Sequence, residues 1–300
     1  MDPGIRWRVR KSKAARAVMI ALLCFCNLLL VAMIGGLFWR SLPILRSEPL
    51  SELLLSTSWA PLKGEFGLLP FLLGTLWVTG VANLVAVPPC LLTAIYLSEY
   101  ARARTRELVK PFIDLLAGIP SVVYGVWGVL VVVPLVRDHI APACGTFSSG
   151  YSTLAAGLVL AVMVFPTLIG VSLEVFETVP HEAREASLAL GATRWQTVKF
   201  VVLRKAAAGV LAAVVLGVSR AFGETMAVLM VAGNVARIPH SVLDPAYPLP
   251  ALIANNYGEM LSIPLYDAAI LLSSLLLLLL VFAFNLASRL ILIRVERRAR

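Results

Sequence analysis

The chain has 300 residues, 59% of them hydrophobic and 14% charged, with a mean hydropathy of +0.88. That balance excludes the pair of soluble domains that length alone would suggest and places the protein in a bilayer. A net charge of +9 does not point to nucleic acid, because the basic residues cluster at the ends of apolar runs, where topology and anionic headgroups account for them.

Six apolar runs reach the length of about 20 residues that a spanning helix needs: residues 17–39, 71–97, 112–136, 153–176, 206–231 and 268–293. The organisation expected is a basic N-terminus at 1–16, one membrane domain at 17–293 and a basic C-terminus at 294–300. The first run exceeds the ~7–15 residues of a cleaved leader's apolar stretch, so it reads as an uncleaved helix. Residues 40–70 form a moderately polar connection holding Trp59 and Phe66, which suit either headgroup depth or a contact surface for a binding protein.

The third run contains Gly118, Pro120, Ser121, Tyr124 and Gly125. Its small residues, Gly118, Gly125 and Gly128 among them, allow helices to approach closely, and Pro120 frees a carbonyl that needs protein or a wet cavity as partner. This helix is expected to line the bundle interior, or simply to pack tightly. The fourth run holds Pro166 and ends in Glu174 and Glu177, read as a solvated terminus.

Residues 178–205 interrupt the apolar pattern with folded structure. Pro180 is tolerated in a first helical turn, Glu182 and Glu185 complement the positive end of the helix, and Gly191 stops it. Thr193 and Gln196 have capping-box spacing, which starts a second helix. The fifth run carries Ser219, Arg220, Glu224 and Thr225 near its middle. In a continuous helix Arg220 and Glu224 share one face, and a charge at that depth costs roughly 2.5–3.5 kcal/mol, so the face must meet protein, water or a partner charge. A forked, permanent cation suits an oxyanion; the other reading is a bridge that only locks helices together. Residues 232–267 hold too many prolines and asparagines for one helix and read as an external stretch open to a soluble partner. The last run, apolar nearly all round, reads as a lipid-facing anchor.

Cytoplasmic flanks carry an excess of Lys and Arg. Twenty of the 26 basic residues lie in the N-terminus, the second-to-third connection, residues 178–205 and the C-terminal end, so both termini are expected inside. The four cysteines and three histidines show neither a disulfide framework nor ligand spacing, and no metal is expected. The Gly-x4-Gly-Lys-Ser/Thr phosphate cradle is missing from the sequence, so hydrolysis of ATP falls to another chain.

Glu185-Ala186-Ser187, Gly191 and Val201-Val202-Leu203-Arg204 resemble the loop motif of ABC importer permeases, Glu-Ala-Ala, three residues, Gly, nine residues, Ile-x-Leu-Pro, with Arg204 in place of the Pro. The block from Gly118 to Gly125 and the block Arg220-Ala221-Phe222-Gly223-Glu224-Thr225-Met226-Ala227-Val228 resemble the phosphate-importing, PstC-like permease subunits. The resemblance covers residues 58–294 and implies an all-α, type I (MetI-like) bundle of six transmembrane helices in a bacterial inner membrane. It implies a coupling helix in which Glu182, Glu185, Ala186, Ser187 and Gly191 meet a cytoplasmic ATPase, and a pathway along Ser219, Arg220, Glu224 and Thr225. The implied partners are a second homologous permease, two ATPase subunits carrying ATP and Mg, and an external phosphate-binding protein, working by alternating access. Two alternatives stay open: a permease for sulfate, molybdate or tungstate, and a membrane signalling subunit without flux.

Overall fold

The computed structural model describes residues 3–259, 263 and 265–299; parts of the 232–267 stretch (260–262 and 264) and the terminal Arg300 lie outside the described residues. Within it six helices are long and apolar enough to cross a membrane. They are α1 (Pro3–Ser47), α3 (Leu69–Tyr100), α5 (Ser121–Ala143), α6 (Thr153–Glu177), α8 (Arg194–Phe222) and α11 (Tyr266–Ala299). Between them lie the short α2 (Leu50–Leu55), α4 (Ala103–Gly118), α7 (His181–Ala189), α9 (Met226–Val231) and α10 (Leu249–Asn256). Alternate crossing puts both chain ends and the connections at 101–120 and 178–193 on one face, called here the terminal face.

Two expected spans are displaced, each for a backbone reason. The third does not run through Pro120. A residue before proline is driven from the helical region, and Ile119 is extended (φ −69°, ψ 128°), so the chain ends α4 at Gly118 and restarts at Ser121. Residues 103–118 therefore form a separate amphipathic helix, and the crossing helix is Ser121–Ala143, not 112–136. Within α5, widened π-type turns at Gly128–Val132 and Val136–Ile140 enclose the carbonyls of Leu130 and Asp138. These are the carbonyls four residues before Pro134 and Pro142, which a proline ring would strike in a regular helix.

The fifth span is also broken. α8 ends at Phe222, Gly223–Thr225 is not helical, and α9 resumes at Met226. At its other end α8 begins in the connection itself and passes through a π-type turn at Val198–Val202 without interruption at Arg204, where the importer motif has proline.

α3 and α6 pack along each other and, with α5 and α9, enclose the main core of Val78, Ala82, Val132, Val159, Leu160, Val164 and Val228. Gly157 makes the contact possible: a methyl there would sit 2.8 Å from Val81 Cβ. A second core lies toward the opposite face, where Phe66, Phe71, Tyr247, Leu249, Leu252, Tyr266 and Ile270 gather. Trp59 and Phe66, in a two-stranded hairpin, stack edge-on at 5.8 Å, and Trp59 meets Phe71 at 5.1 Å, so both aromatics belong to this core.

The stretch after α9 is not an open loop. Residues 246–252 are all buried, and α10 packs against α3, α9 and α11. The Leu249 N–H donates to Thr75 Oγ1 (2.9 Å), and Tyr247 Oη accepts from Asn255 and Asn256. Nor is α11 only a lipid-facing anchor: Tyr266, Ala269, Ile270, Leu272 and Ser273 are buried in its first turns. α1 is the element whose apolar window is wholly exposed; it touches α11.

Overpacking a tight helix contact typically costs about 1–3 kcal/mol. Gly157→Val should therefore lower the melting temperature of the purified protein clearly, while Gly80→Ala, with nothing within 4 Å of the added methyl, should leave it unchanged or slightly raised. Equal effects of the two would contradict the α3–α6 contact.

Candidate functional site

Two groups of residues come together, one in the middle of the bundle and one on the terminal face. In the middle, the break at Gly223 undoes the shared face of Arg220 and Glu224 that a continuous helix would give. Arg220 is exposed on the side of α8 toward α6, where its Nη1 donates to Thr167 Oγ1 at 2.5 Å. Glu224 is half-buried on another side and lines a small void with Thr75, Thr79, Leu160, Pro248 and Pro250. Its Oε1 accepts from the Ala227 N–H at 3.5 Å, a weak cap on α9. Among the described residues no Arg220–Glu224 ion pair forms.

Ser219, half-buried beside Arg220, donates to Asn285 Oδ1 of α11 at 3.0 Å, and Thr225 donates to the Gly223 carbonyl at 3.3 Å. The structure thus adds Thr167 and Asn285 to the residues the sequence singles out. A hydroxyl or amide on an otherwise apolar run was the signal for both.

The block at 118–125 divides in the same way. Tyr124 is buried and its hydroxyl donates to the Leu116 carbonyl at 2.8 Å, which loses its i+4 donor to Pro120 and otherwise accepts only from the Ile119 N–H at 3.3 Å. Gly125 allows α9 to approach, since a methyl there would meet Ala227 Cα at 3.2 Å and Met230 Sδ at 2.5 Å. Gly118 has nothing within 4 Å, so it makes no close helix contact within the chain; Pro120 is exposed and Ser121 half-buried.

On the terminal face the helix, glycine turn and helix expected over 178–205 are present. α7 follows Pro180; Gly191 turns the chain with φ +86°, a conformation that favours glycine. Thr193 Oγ1 accepts from the Gln196 N–H (3.3 Å) and Gln196 Oε1 from the Thr193 N–H (2.8 Å), a complete capping box at the start of α8. Glu182, Glu185, Ala186 and Gly191 are exposed, with Leu190 and Trp195 beside them, and Ser187 is hydrogen-bonded to Thr197 at 3.0 Å.

What holds α7 to the bundle is a residue the sequence reading assigned only to charge sorting. Arg184 is 13% exposed and forms a forked ion pair with Glu99 at the end of α3 (2.8–3.2 Å). It also donates to the Phe176 carbonyl at 2.8 Å and to the Val179 carbonyl. Glu177 is not merely a solvated terminus, because it pairs with Arg106 of α4. These residues, with His181, Glu185 and Arg194, border a cleft of about 520 Å³. Among the described residues no cluster of three His, Cys, Asp or Glu side chains is placed to hold a metal.

Loss of an N-cap hydroxyl costs about 1 kcal/mol. Thr193→Ala should accordingly speed amide exchange of residues 195–197 roughly five-fold, with the rest of α8 unchanged; protection equal to wild type would show that the box contributes nothing.

Comparison with known proteins agrees with this architecture. Residues 90–300 match the family described as binding-protein-dependent transport system inner membrane component. The phosphate transport system permease protein PstC of Xylella fastidiosa (strain 9a5c) is 36% identical over 297 residues, covering 94% of this chain and 91% of that protein. Among solved structures, a chain of the MetNI methionine ABC transporter in an inward-facing crystal form superposes with a TM-score of 0.58 at 22% identity, covering 74% of this chain and 93% of that one. A bacterial ABC transporter involved in import of the acidic polysaccharide alginate gives 0.56 at 14% identity, covering 95% and 98%. Six apolar crossings, the helix–glycine–helix connection and this match over most of the chain lead to one conclusion: the chain belongs to the family of inner-membrane components of binding-protein-dependent ABC transport systems.

Proposed function

We propose that this chain is a permease subunit through which inorganic phosphate enters the cell, driven by ATP hydrolysed on separate subunits. The observation that carries the reading is Arg220: a guanidinium exposed within a spanning helix, with a neutral hydroxyl as its partner and the nearby carboxylate turned away by the helix break. Such a charge is not stable against lipid. It fits a hydrated pathway closed by a second, homologous permease, where its forked donors bind a tetrahedral oxyanion and release it again, because no buried carboxylate or deep enclosure fixes the complex. The relatives named as phosphate permeases support phosphate over other oxyanions. Ser219, Thr225 and Glu224 border this region and shape it from behind; Tyr124, Gly125, Pro120, Ser121 and Gly118 form the broken helix beside it.

The terminal face is the cytoplasmic face in this reading, since it receives both chain ends and the connections rich in Lys and Arg. There α7 presents Glu182, Glu185, Ala186 and exposed leucines to the ATPase subunits, which hold ATP and Mg; no cofactor belongs to this chain. The opposite face, built on the Trp59–Tyr247–Tyr266 core, meets the phosphate-binding protein.

The test is uptake of labelled phosphate into proteoliposomes holding the complex, internal ATP and the binding protein, with excess sulfate or molybdate as competitors. Uptake is expected to need ATP and to resist both competitors; block by either would move the assignment to that anion, and stable ATPase binding without uptake would favour a signalling subunit. Arg220→Gln should lower flux at least ten-fold with the complex still assembled, and normal flux would remove Arg220 from the pathway. A β-branched side chain at the φ of Gly191 costs about 1–2 kcal/mol, so Gly191→Val should weaken ATPase co-purification or ATP-driven uptake several-fold; unchanged values of both would remove the turn from the docking surface.

A further inference from the structure

α7 has no buried residue of its own, yet it is the helix proposed above to meet the ATPase. Besides the chain at either end and packing against the first turns of α8, its side-chain hydrogen bonds to the bundle among the described residues are the Ser187–Thr197 hydroxyl contact and those of Arg184. That side chain reaches two spans at once. Glu99 lies in the last turn of α3, while the Phe176 and Val179 carbonyls close the end of α6. Beneath the contact, Ala94, Ile95, Phe176, Val179, Val198, Val202 and Ala206 join α3, α6 and α8 in a small apolar core. The pair is nearly shielded from water, at 13% and 10% exposure, so it is screened far less than a surface ion pair and its planar fork fixes direction as well as distance.

We infer that Arg184 and Glu99 are positioning residues of the transport step: their ion pair carries displacement of α7 to the ends of α3 and α6. This rests on the reading of α7 as the ATPase-docking helix. A guanidinium suits the task because its five donors serve a carboxylate and two carbonyls together, whereas an ammonium has three donors and no fork. Without the pair, α7 stays covalently attached and still presents Glu182, Glu185 and Ala186 to the ATPase, but it loses its direct link to α3 and α6 and keeps the flanking residues and the Ser187–Thr197 contact with α8.

The experiment measures phosphate taken up per ATP hydrolysed in proteoliposomes holding the whole complex, for wild type, Glu99→Gln, Arg184→Lys, Arg184→Gln and the double variant Glu99→Gln with Arg184→Gln. Expected are ATPase co-purification and hydrolysis within two-fold of wild type, with uptake per ATP at least ten-fold lower in Glu99→Gln and Arg184→Gln. The double variant should be no worse than either single, the signature of one link, and Arg184→Lys should fall between, keeping the charge and losing the fork. Glu99→Gln is close in shape to the native residue and keeps the question answerable if Arg184→Gln fails to assemble. Uptake per ATP at the wild-type value in Glu99→Gln and Arg184→Lys would overturn the inference, as would losses in proportion to lost assembly, which a purely structural contact would give. Wild-type complex that neither retains an ATPase nor couples uptake to ATP would instead overturn the docking reading beneath it.

Discussion

A backbone amide or carbonyl inside a bilayer has no water to bond, so each irregular stretch in this bundle must find its partners within protein. The two breaks show how that condition shapes everything near them. Where Pro120 ends α4, the Tyr124 hydroxyl serves the Leu116 carbonyl. Where α8 stops at Phe222, turn bonds from the Gly223 and Glu224 amides, the Thr225 hydroxyl and the Glu224 carboxylate take up the freed groups. α10 turns back among the spans on similar terms, with the Leu249 amide on Thr75 and a tyrosine–asparagine network behind it. The polar side chains at these sites are thus first of all backbone partners. Arg220, by contrast, serves no backbone group among the described residues: its hydrogen bond goes to the Thr167 hydroxyl.

The same condition sorts the faces of the molecule. α1 exposes its apolar window throughout, which suits lipid contact. Arg220 and Gly223 at the end of α8, Met226 at the start of α9 and Val122 and Val126 of α5 are all exposed, a mixture of charge, small residues and aliphatic side chains that lipid would solvate poorly and a second protein surface would cover well. Fold alone, shared with transporters of methionine and of alginate at 22% and 14% identity, does not choose the cargo. The oxyanion proposed above is supported instead by Arg220, exposed within a helix long and apolar enough to span, with Thr167 as its hydrogen-bond partner.

Much of this was legible in the sequence, and the rest was not for definable reasons. Apolar runs gave six crossings because hydropathy over about twenty residues is a local sum. The capping box at Thr193 and the turn at Gly191 were legible because each depends on residues within one helical turn. The breaks at Pro120 and Gly223 were missed because that same sum averages across them; Ile119, standing before a proline, was the available signal. The link from Arg184 to Glu99 joins residues 85 apart, and no periodicity connects them. The prolines of 232–267 rule out one continuous helix but hide the short α10, because Pro248 and Pro250 sit at a helix start, where a missing N–H costs little.

The uninterrupted course of α8 has a mechanical meaning. From Arg194 to Arg220 it is one helix, about 40 Å long at 1.5 Å per residue. Its capping box sits beside α7, proposed above to dock the ATPase, and Arg220 stands near its other end. A rod of that length tilting by about 10° around one end sweeps the other through roughly 7 Å, more than one helical turn of rise. The change of access proposed for the anion then needs no chain of small rearrangements between loop and cargo: leverage in a single stiff element covers the distance, and proline at position 204 would have put a joint in it.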